Sequence, residues 1–332
     1  MHASSRFRTA LVVLSFAALL GYWGGSGYFG KEIVSEIAIF AILAMSLDLV
    51  AGYSGMVSLM HGALLGFGAY IYALMAAKWG VSPALAMLAA SAATGFVALV
   101  IGGIVSRVRG VFFIMTTLAI GEMGYEYFFQ SKTFGGDDGF SGIPRLDLSG
   151  LGIDTSDTAS FALIAIVIAM IVYALMSRLL KSPYGWALVG IHQNEMRMRA
   201  LGLPIRRYKT SAIAVSGVIA GFAGTLTAMH TQFITPQLLH WTTSGEVLIM
   251  VILGGLGTLI GPVVGASIVI LLRHQLSSYT DYWGFWLGLF LIVVVVSKSN
   301  GVVGWLSDMW LRFTPRRSPG EPGEPGDEHA AR

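Results

Sequence analysis

Six stretches of this chain run for twenty residues or more without a lysine, arginine, aspartate or glutamate: 9–30, 49–77, 79–106, 158–177, 210–245 and 247–272. A helix that crosses a membrane needs roughly 17–25 mostly apolar residues, so each stretch is long enough for one. Charged residues make up 12% of the 332-residue chain, against about 25% in soluble proteins. So few charges cannot cover the surface of a soluble body. An ordinary soluble enzyme is excluded, and so is disorder over most of the length. The expected fold class is all-α, a polytopic membrane helix bundle.

Shorter charge-free runs at 37–47, 110–121 and 282–297 add to the count. The predicted spans are 9–24, 33–52, 57–77, 83–105, 111–129, 159–179, 210–230, 245–259, 261–278 and 282–298, about ten transmembrane segments. The eighth and ninth meet at the Gly-rich run Gly254 to Gly261, and admit either two crossings or one broken element. Residues 1–314 then form the transmembrane domain. Residues 315–332, rich in Pro, Gly and charge, are expected to be a disordered cytoplasmic tail. Arg6 and Arg8 precede a short apolar run, but no small-x-small cleavage site follows, so a retained helix is expected at 1–24.

With the N-terminus inside, the cytoplasmic side receives Arg6, Arg8, Arg107, Arg109, Arg178, Lys181, Arg197, Arg199, Arg206, Arg207, Lys209, Lys298, Arg312, Arg316, Arg317 and Arg332. The outside receives only Lys31, Lys78, Lys132, Arg145 and Arg273. This bias predicts that both termini are cytoplasmic. The largest outside loop is 130–157, with Asp137, Asp138, Asp147, Asp154 and Asp157.

Small residues four apart let membrane helices approach closely. Gly62/Gly66, Gly217/Gly221, Gly257/Gly261/Gly265 and Gly284/Gly288 follow that spacing. The segment Ser54 to Met60 also resembles Ser244 to Met250, and the two enter from opposite sides, which predicts an inverted repeat.

Enzyme signatures are missing. The sequence contains no P-loop, no His-Glu-x-x-His and no Gly-x-Ser-x-Gly. There is no cysteine, and His2, His61, His192, His230, His240, His274 and His329 have no ligand spacing, so no metal is expected. No nucleic-acid footprint appears beyond one basic cytoplasmic loop. Ionisable residues at membrane depth are costly and become candidates for the transport path: Glu36, Asp48, His61, Glu122, Glu126 and Glu246. Glu36 reads as interfacial and hydrated, Asp48 as a structural polar contact or a path residue, and His61 as a packing residue. Glu122 and Glu126 share a helix face, the arrangement of a proton relay, but lack cationic partners within the spans.

The segment 181–209 is the most informative. Pro183 ends the preceding span. Residues 185–192 and 194–201 suit short amphipathic helices, with Asn194 as N-cap, Glu195 in the first turn, and Gly202 then Pro204 as the stop. Such a helix fits a partner's groove, or lies on anionic lipid through Arg197, Arg199, Arg206 and Arg207.

The run from Ser182 to Pro204 resembles the coupling loop of ABC-importer permeases, in particular the LivM-type permeases of branched-chain amino acid importers. Four further blocks agree in order: Gly52 to Tyr70, Arg109 to Ala119, Gly135 to Pro144, and Ser244 to Pro262. The resemblance covers about 33–300. It implies a bacterial inner-membrane importer with a second homologous permease, two ATP-binding subunits and a periplasmic substrate-binding protein. No cofactor is then bound by this chain, and ATP sits on partner subunits. It implies coupling residues Gly190, Asn194, Glu195, Arg199, Ala200 and Gly202. Candidate path and packing residues are Asp48, Gly55, His61, Gly62, Gly66, Glu122, Glu246, Gly254, Gly255 and Gly257. Met60 stands where the family usually has Gly, and Asp137-Asp138 alters the outside loop. Branched-chain amino acids are the first expectation for substrate; relatives carry urea, short amides or aromatic acids. A stand-alone secondary transporter is the reading from another class, and would need ion coupling at Asp48 or Glu122.

Overall fold

The computed structural model describes residues 5–146, 155, 157–280, 282, 284–286, 288, 289, 292 and 301–313. Helices dominate: α1 (Ser5–Gly25), α2 (Tyr28–Asp48, extended by one π turn, Leu49–Tyr53), α3 (His61–Ala73, with a π turn Leu74–Lys78) and α4 (Pro83–Val105). Then come α5 (Val111–Gln130), α6 (Thr158–Lys181), α7 (Pro183–Gln193), α8 (Glu195–Ala200) and α9 (Ile205–Thr231). The last are α10 (Trp241–Gly254), α11 (Gly261–Ser277) and α12 (Gly301–Phe313). The two-residue strands β1 (Phe140–Ser141) and β2 (Phe233–Ile234) pair antiparallel, Phe140 opposite Ile234.

A helix apolar all round is buried, and α2 is the case here. Val34, Ile37, Ala38, Ile42, Leu43 and Leu47 have no exposed surface, and α6, α9, α10 and α11 pack around α2. By contrast α4 and α6 lie outside and present Leu88, Phe96, Ile104, Ile171 and Leu175 outward, as membrane-facing helices do. The seam of α9 with α3 and α4 is made by glycines. A methyl group at Gly224 would strike the Leu65 carbonyl, one at Gly68 the backbone of Gly221, and one at Gly217 the Ala98 side chain.

Several expected spans differ in the structure. Span 57–77 becomes a helix only at His61, because 54–60 is non-helical and Gly55 has φ +69°. Span 245–259 starts earlier and stops at Gly254, where Gly255 turns to φ +115°. At about 1.5 Å per residue, the 14-residue α10 and 17-residue α11 are about 21 and 26 Å long, short of a ~30 Å hydrocarbon core. Among the described residues four helices are long and apolar enough to cross a membrane: 28–53, 83–105, 158–181 and 205–231. The two segments of the expected repeat fold differently, one as irregular chain (54–60) and one inside α10 (244–250). Around Gly284 and Gly288 a Cβ would meet nothing among the described residues. Most of the tenth span, part of loop 130–157 and the tail 315–332 lie outside the described residues.

Contacts sort the helix ends into two faces. On one, Gly52, Arg109, Glu195 and Lys209 come together. On the other, Tyr72 donates to the Pro144 carbonyl at 2.8 Å, and Arg145 donates to the carbonyls of Met229 and His230 at 3.1 and 3.3 Å. The β1–β2 pair closes this second face.

Candidate functional site

The first face is built on 181–209. Pro183 sits in the first turn of α7, where its missing N–H costs nothing. Asn194 leaves the helical region at φ −158°, and its Oδ1 accepts the Arg197 N–H at 2.9 Å, capping α8. Gly202, at φ +82°, donates its N–H to the Arg199 carbonyl at 3.0 Å and ends the helix. A six-residue helix is too short to persist by itself; the side-chain contacts around it supply the rest.

Glu195 is the centre of those contacts. It accepts from Arg109 Nη2 at 2.6 Å, Arg199 Nη2 at 3.1 Å and Lys209 Nζ at 2.9 Å. Lys209 lies in α9 with its side chain 8% exposed, and Arg109 precedes α5. One carboxylate thus ties α8 to α5 and α9. Partial burial alone would push the Glu195 carboxyl up. The Lys209 hydrogen bond and charge, then Arg109 and Arg199, outweigh it and hold the group below its ordinary value.

Neighbouring contacts fix α7. His192 Nδ1 donates to the Gly52 carbonyl at 3.0 Å, linking α7 to the end of α2. A Cβ on Gly55 would sit 2.6 Å from the His192 ring, and one on Gly190 2.7 Å from the Met198 methyl. The Tyr184 hydroxyl meets Ser211 Oγ at 2.9 Å, and burial raises its pKa. A cleft of about 260 Å³ opens between Gly55, Met56, Arg109, Phe113 and His192. Trp186, Met196 and Leu201 stand out from the surface, each at least 69% exposed.

A second constellation ties α2 to the α10–α11 joint. The buried Asp48 carboxylate accepts from the backbone N–H of Gly257 at 2.7 Å and of Leu259 at 3.2 Å. Gly257 has φ +71° and Leu259 φ +60°, so the joint is bent around this carboxylate. Gly254 packs on the Gly261 backbone.

A third lies inside the bundle, where the first turns of α3 and α10 meet. Ser244 Oγ accepts the Gly62 N–H at 2.8 Å. His61 Nε2 lies 2.7 Å from Ser216 Oγ, which donates to the Ser46 carbonyl at 2.8 Å. His61 therefore donates through Nε2. Gly66 packs on Leu239. Helix α5 covers the junction: Thr117 Oγ1 accepts from Leu59 N at 3.2 Å, and Glu122 Oε1 accepts the Trp241 N–H at 2.9 Å.

The expected residues therefore divide. Gly190, Asn194, Glu195, Arg199 and Gly202 assemble on the first face with Gly55, while Ala200 is exposed at the end of α8. Asp48, Gly254, Gly255 and Gly257 belong to the joint. His61, Gly62 and Gly66 converge in the interior, and Glu122, about a third exposed, holds the start of α10 beside them. Glu122 and Glu126 meet different partners: the first accepts the Trp241 N–H at the start of α10, and the second accepts from Gln130. Glu36, 22% exposed, is paired rather than free. It pairs with Arg273 and with His274 Nε2 at 2.8 Å, and Arg273 also holds Glu246 at 2.8 Å. Sequence reasoning missed Arg109, Lys209 and His192 as partners. For Arg109 and Lys209 the signal was charge complementarity to Glu195 at span ends on one side; His192, which pairs with the Gly52 carbonyl, had no such signal.

Residues 31–296 match the family model described as branched-chain amino acid transport system / permease component. The high-affinity branched-chain amino acid transport system permease protein LivM of Escherichia coli is 30% identical over 324 residues, covering 90% of this chain and 74% of that one. Its Salmonella typhimurium counterpart is 29% identical over the same shares. A probable LivM permease of Methanocaldococcus jannaschii is 26% identical over 160 residues, 43% of this chain and 46% of that one. No solved structure matches.

Proposed function

We infer what this chain does from one premise: it belongs to the family of branched-chain amino acid transport system permease components. It is the permease component of an ABC importer and a multi-pass membrane protein. We propose that it forms half of a translocation path for branched-chain amino acids, beside a second homologous permease. Two ATP-binding subunits dock on one face and a periplasmic binding protein on the other, with both termini of this chain cytoplasmic. ATP binds and is hydrolysed on the partner subunits.

The observation that carries the coupling assignment is the Glu195 clamp. An ATP-driven push on α8 reaches α5 through Arg109 and α9 through Lys209, and reaches α2 through His192 and Gly52. Helix α5 in turn covers the junction of α3 and α10. Exposed Trp186, Met196 and Leu201 supply apolar anchors for a partner's groove.

The test is affinity purification from the native membrane followed by reconstitution. Two P-loop ATPases and a second permease should co-purify, and ATP-dependent leucine uptake should follow. Glu195→Ala and Gly202→Pro should insert normally yet uncouple uptake from ATP hydrolysis. Normal import by both variants would overturn the coupling assignment. Uptake without ATP by the chain alone would overturn the importer reading.

A further inference from the structure

A groove of about 700 Å³ runs between the end of α4 and the start of α9, beside the coupling segment and apart from its cleft. Leu99, Leu203 and Ile205 form its apolar walls, and Arg199, Arg206 and Arg207 stand at its rim. Arg206 Nη2 donates to the Gly103 carbonyl at 2.7 Å, which holds its guanidinium over the groove. Among the described residues no carboxylate pairs with Arg206 or Arg207, and Glu195, which pairs with Arg199, is already shared among three cations. Arg206 and Arg207 therefore make a positive edge with no paired carboxylate among the described residues.

The apolar wall continues away from the rim. Phe96, Leu99 and Val100 share one face of α4 by their three- and four-residue spacing, and are 66%, 43% and 51% exposed. Val218 of α9, 41% exposed, lies beside Gly95 on the same seam. A positive edge at one end of a long lateral apolar channel matches an anionic headgroup with its acyl chain. A free anion would gain nothing from the channel, and a zwitterionic lipid, whose ammonium opposes its phosphate, would gain less from the arginines.

We propose that this groove binds an anionic phospholipid of the leaflet on the α7–α8 side, with its phosphate at Arg206 and Arg207 and an acyl chain along Leu99 toward Val218. Arg199 belongs to both this rim and the Glu195 clamp, so bound lipid touches the coupling segment directly.

The test uses the full chain with its co-purifying partners, in micelles containing equal phosphatidylglycerol and phosphatidylcholine. Native mass spectrometry counts the lipid retained. Phosphatidylglycerol should be retained over phosphatidylcholine, and Arg206→Gln and Arg207→Gln should each lower retention about five-fold. Leu99→Trp, at a partly exposed site that leaves the arginines in place, should block the channel and lower retention too. Equal retention of both lipids, undiminished retention in Arg207→Gln or Leu99→Trp, or displacement by equimolar inorganic phosphate would each overturn the proposal.

Discussion

The carboxylate of Asp48 accepts the backbone N–H of Gly257 at 2.7 Å, joining positions 209 residues apart. With Leu259 as its second donor, it holds the α10–α11 joint against the end of α2. Asp48→Ala leaves two buried N–H groups without acceptors, at about 1–3 kcal/mol each. Asp48→Asn keeps one acceptor oxygen and should lose about half as much. Thermal unfolding of the purified protein should rank wild type above Asn above Ala. An Ala variant as stable as the Asn variant would show that the joint is held by other contacts.

Gly224→Ala forces a methyl group into the Leu65 carbonyl across the α3–α9 seam. Backbone cannot rotate aside, so about 1–3 kcal/mol should be lost. The control is Gly245→Ala in α10, where a Cβ meets nothing. It should be neutral or stabilising by up to about 1 kcal/mol, the helix-propensity difference. Melting temperatures of the two variants should move in different directions.

Glu195 has its pKa lowered in the folded protein, so its ionised form is favoured there. Its stabilising contribution is fully present above the ordinary carboxylate value and is lost as pH falls through the lowered folded value. Amide exchange of residues 195–202, corrected for intrinsic pH dependence, should stay slow through mild acid and rise only below the usual carboxylate range. Glu195→Gln should exchange quickly at neutral pH, with little further change on acidification.

Arg273 pairs with Glu36 and Glu246 together, with all three side chains only 20–23% exposed. Arg273→Met leaves Glu246 without its cation and Glu36 with His274 alone among the described residues. The loss should approach, without reaching, the ~3–5 kcal/mol of a fully buried pair. Adding Glu36→Gln and Glu246→Gln should restore part of it. A triple variant no better than Arg273→Met would mean that the guanidinium acts by packing against Phe40 rather than by charge.

What the sequence made legible was local. Asn194 and Gly202 announced the ends of α8, because caps and stops depend on residues a turn apart, and Pro83 and Val111 marked helix starts where the structure has them. The long-range partners of Glu195 were not legible, since Arg109 stands 86 positions away and only the fold brings it near. The late start of α3 at His61 was hidden because 54–60 is apolar enough to pass for helix, while its backbone turns at Gly55. The pairing of Glu36 was not legible because nothing nearby in sequence announces Arg273, 237 positions on. Helix α12 was not predicted. Its Gly301 packs on the Gly255 backbone, a fit that exists only once the α10–α11 joint has formed.

Helices α9 and α10 meet α3 in unequal ways. Where α9 crosses α3, main chain rests on main chain at Gly68, Gly221 and Gly224, so the two helices cannot move closer without a shift of backbone. Where α10 meets α3, the hydrogen bond between them among the described residues ends on one hydroxyl, Ser244, which re-aims by turning about a single bond. The α3–α9 seam is thus set by backbone against backbone, and the α3–α10 meeting by one hydroxyl beside the close approach of Gly62 to the Ser244 backbone.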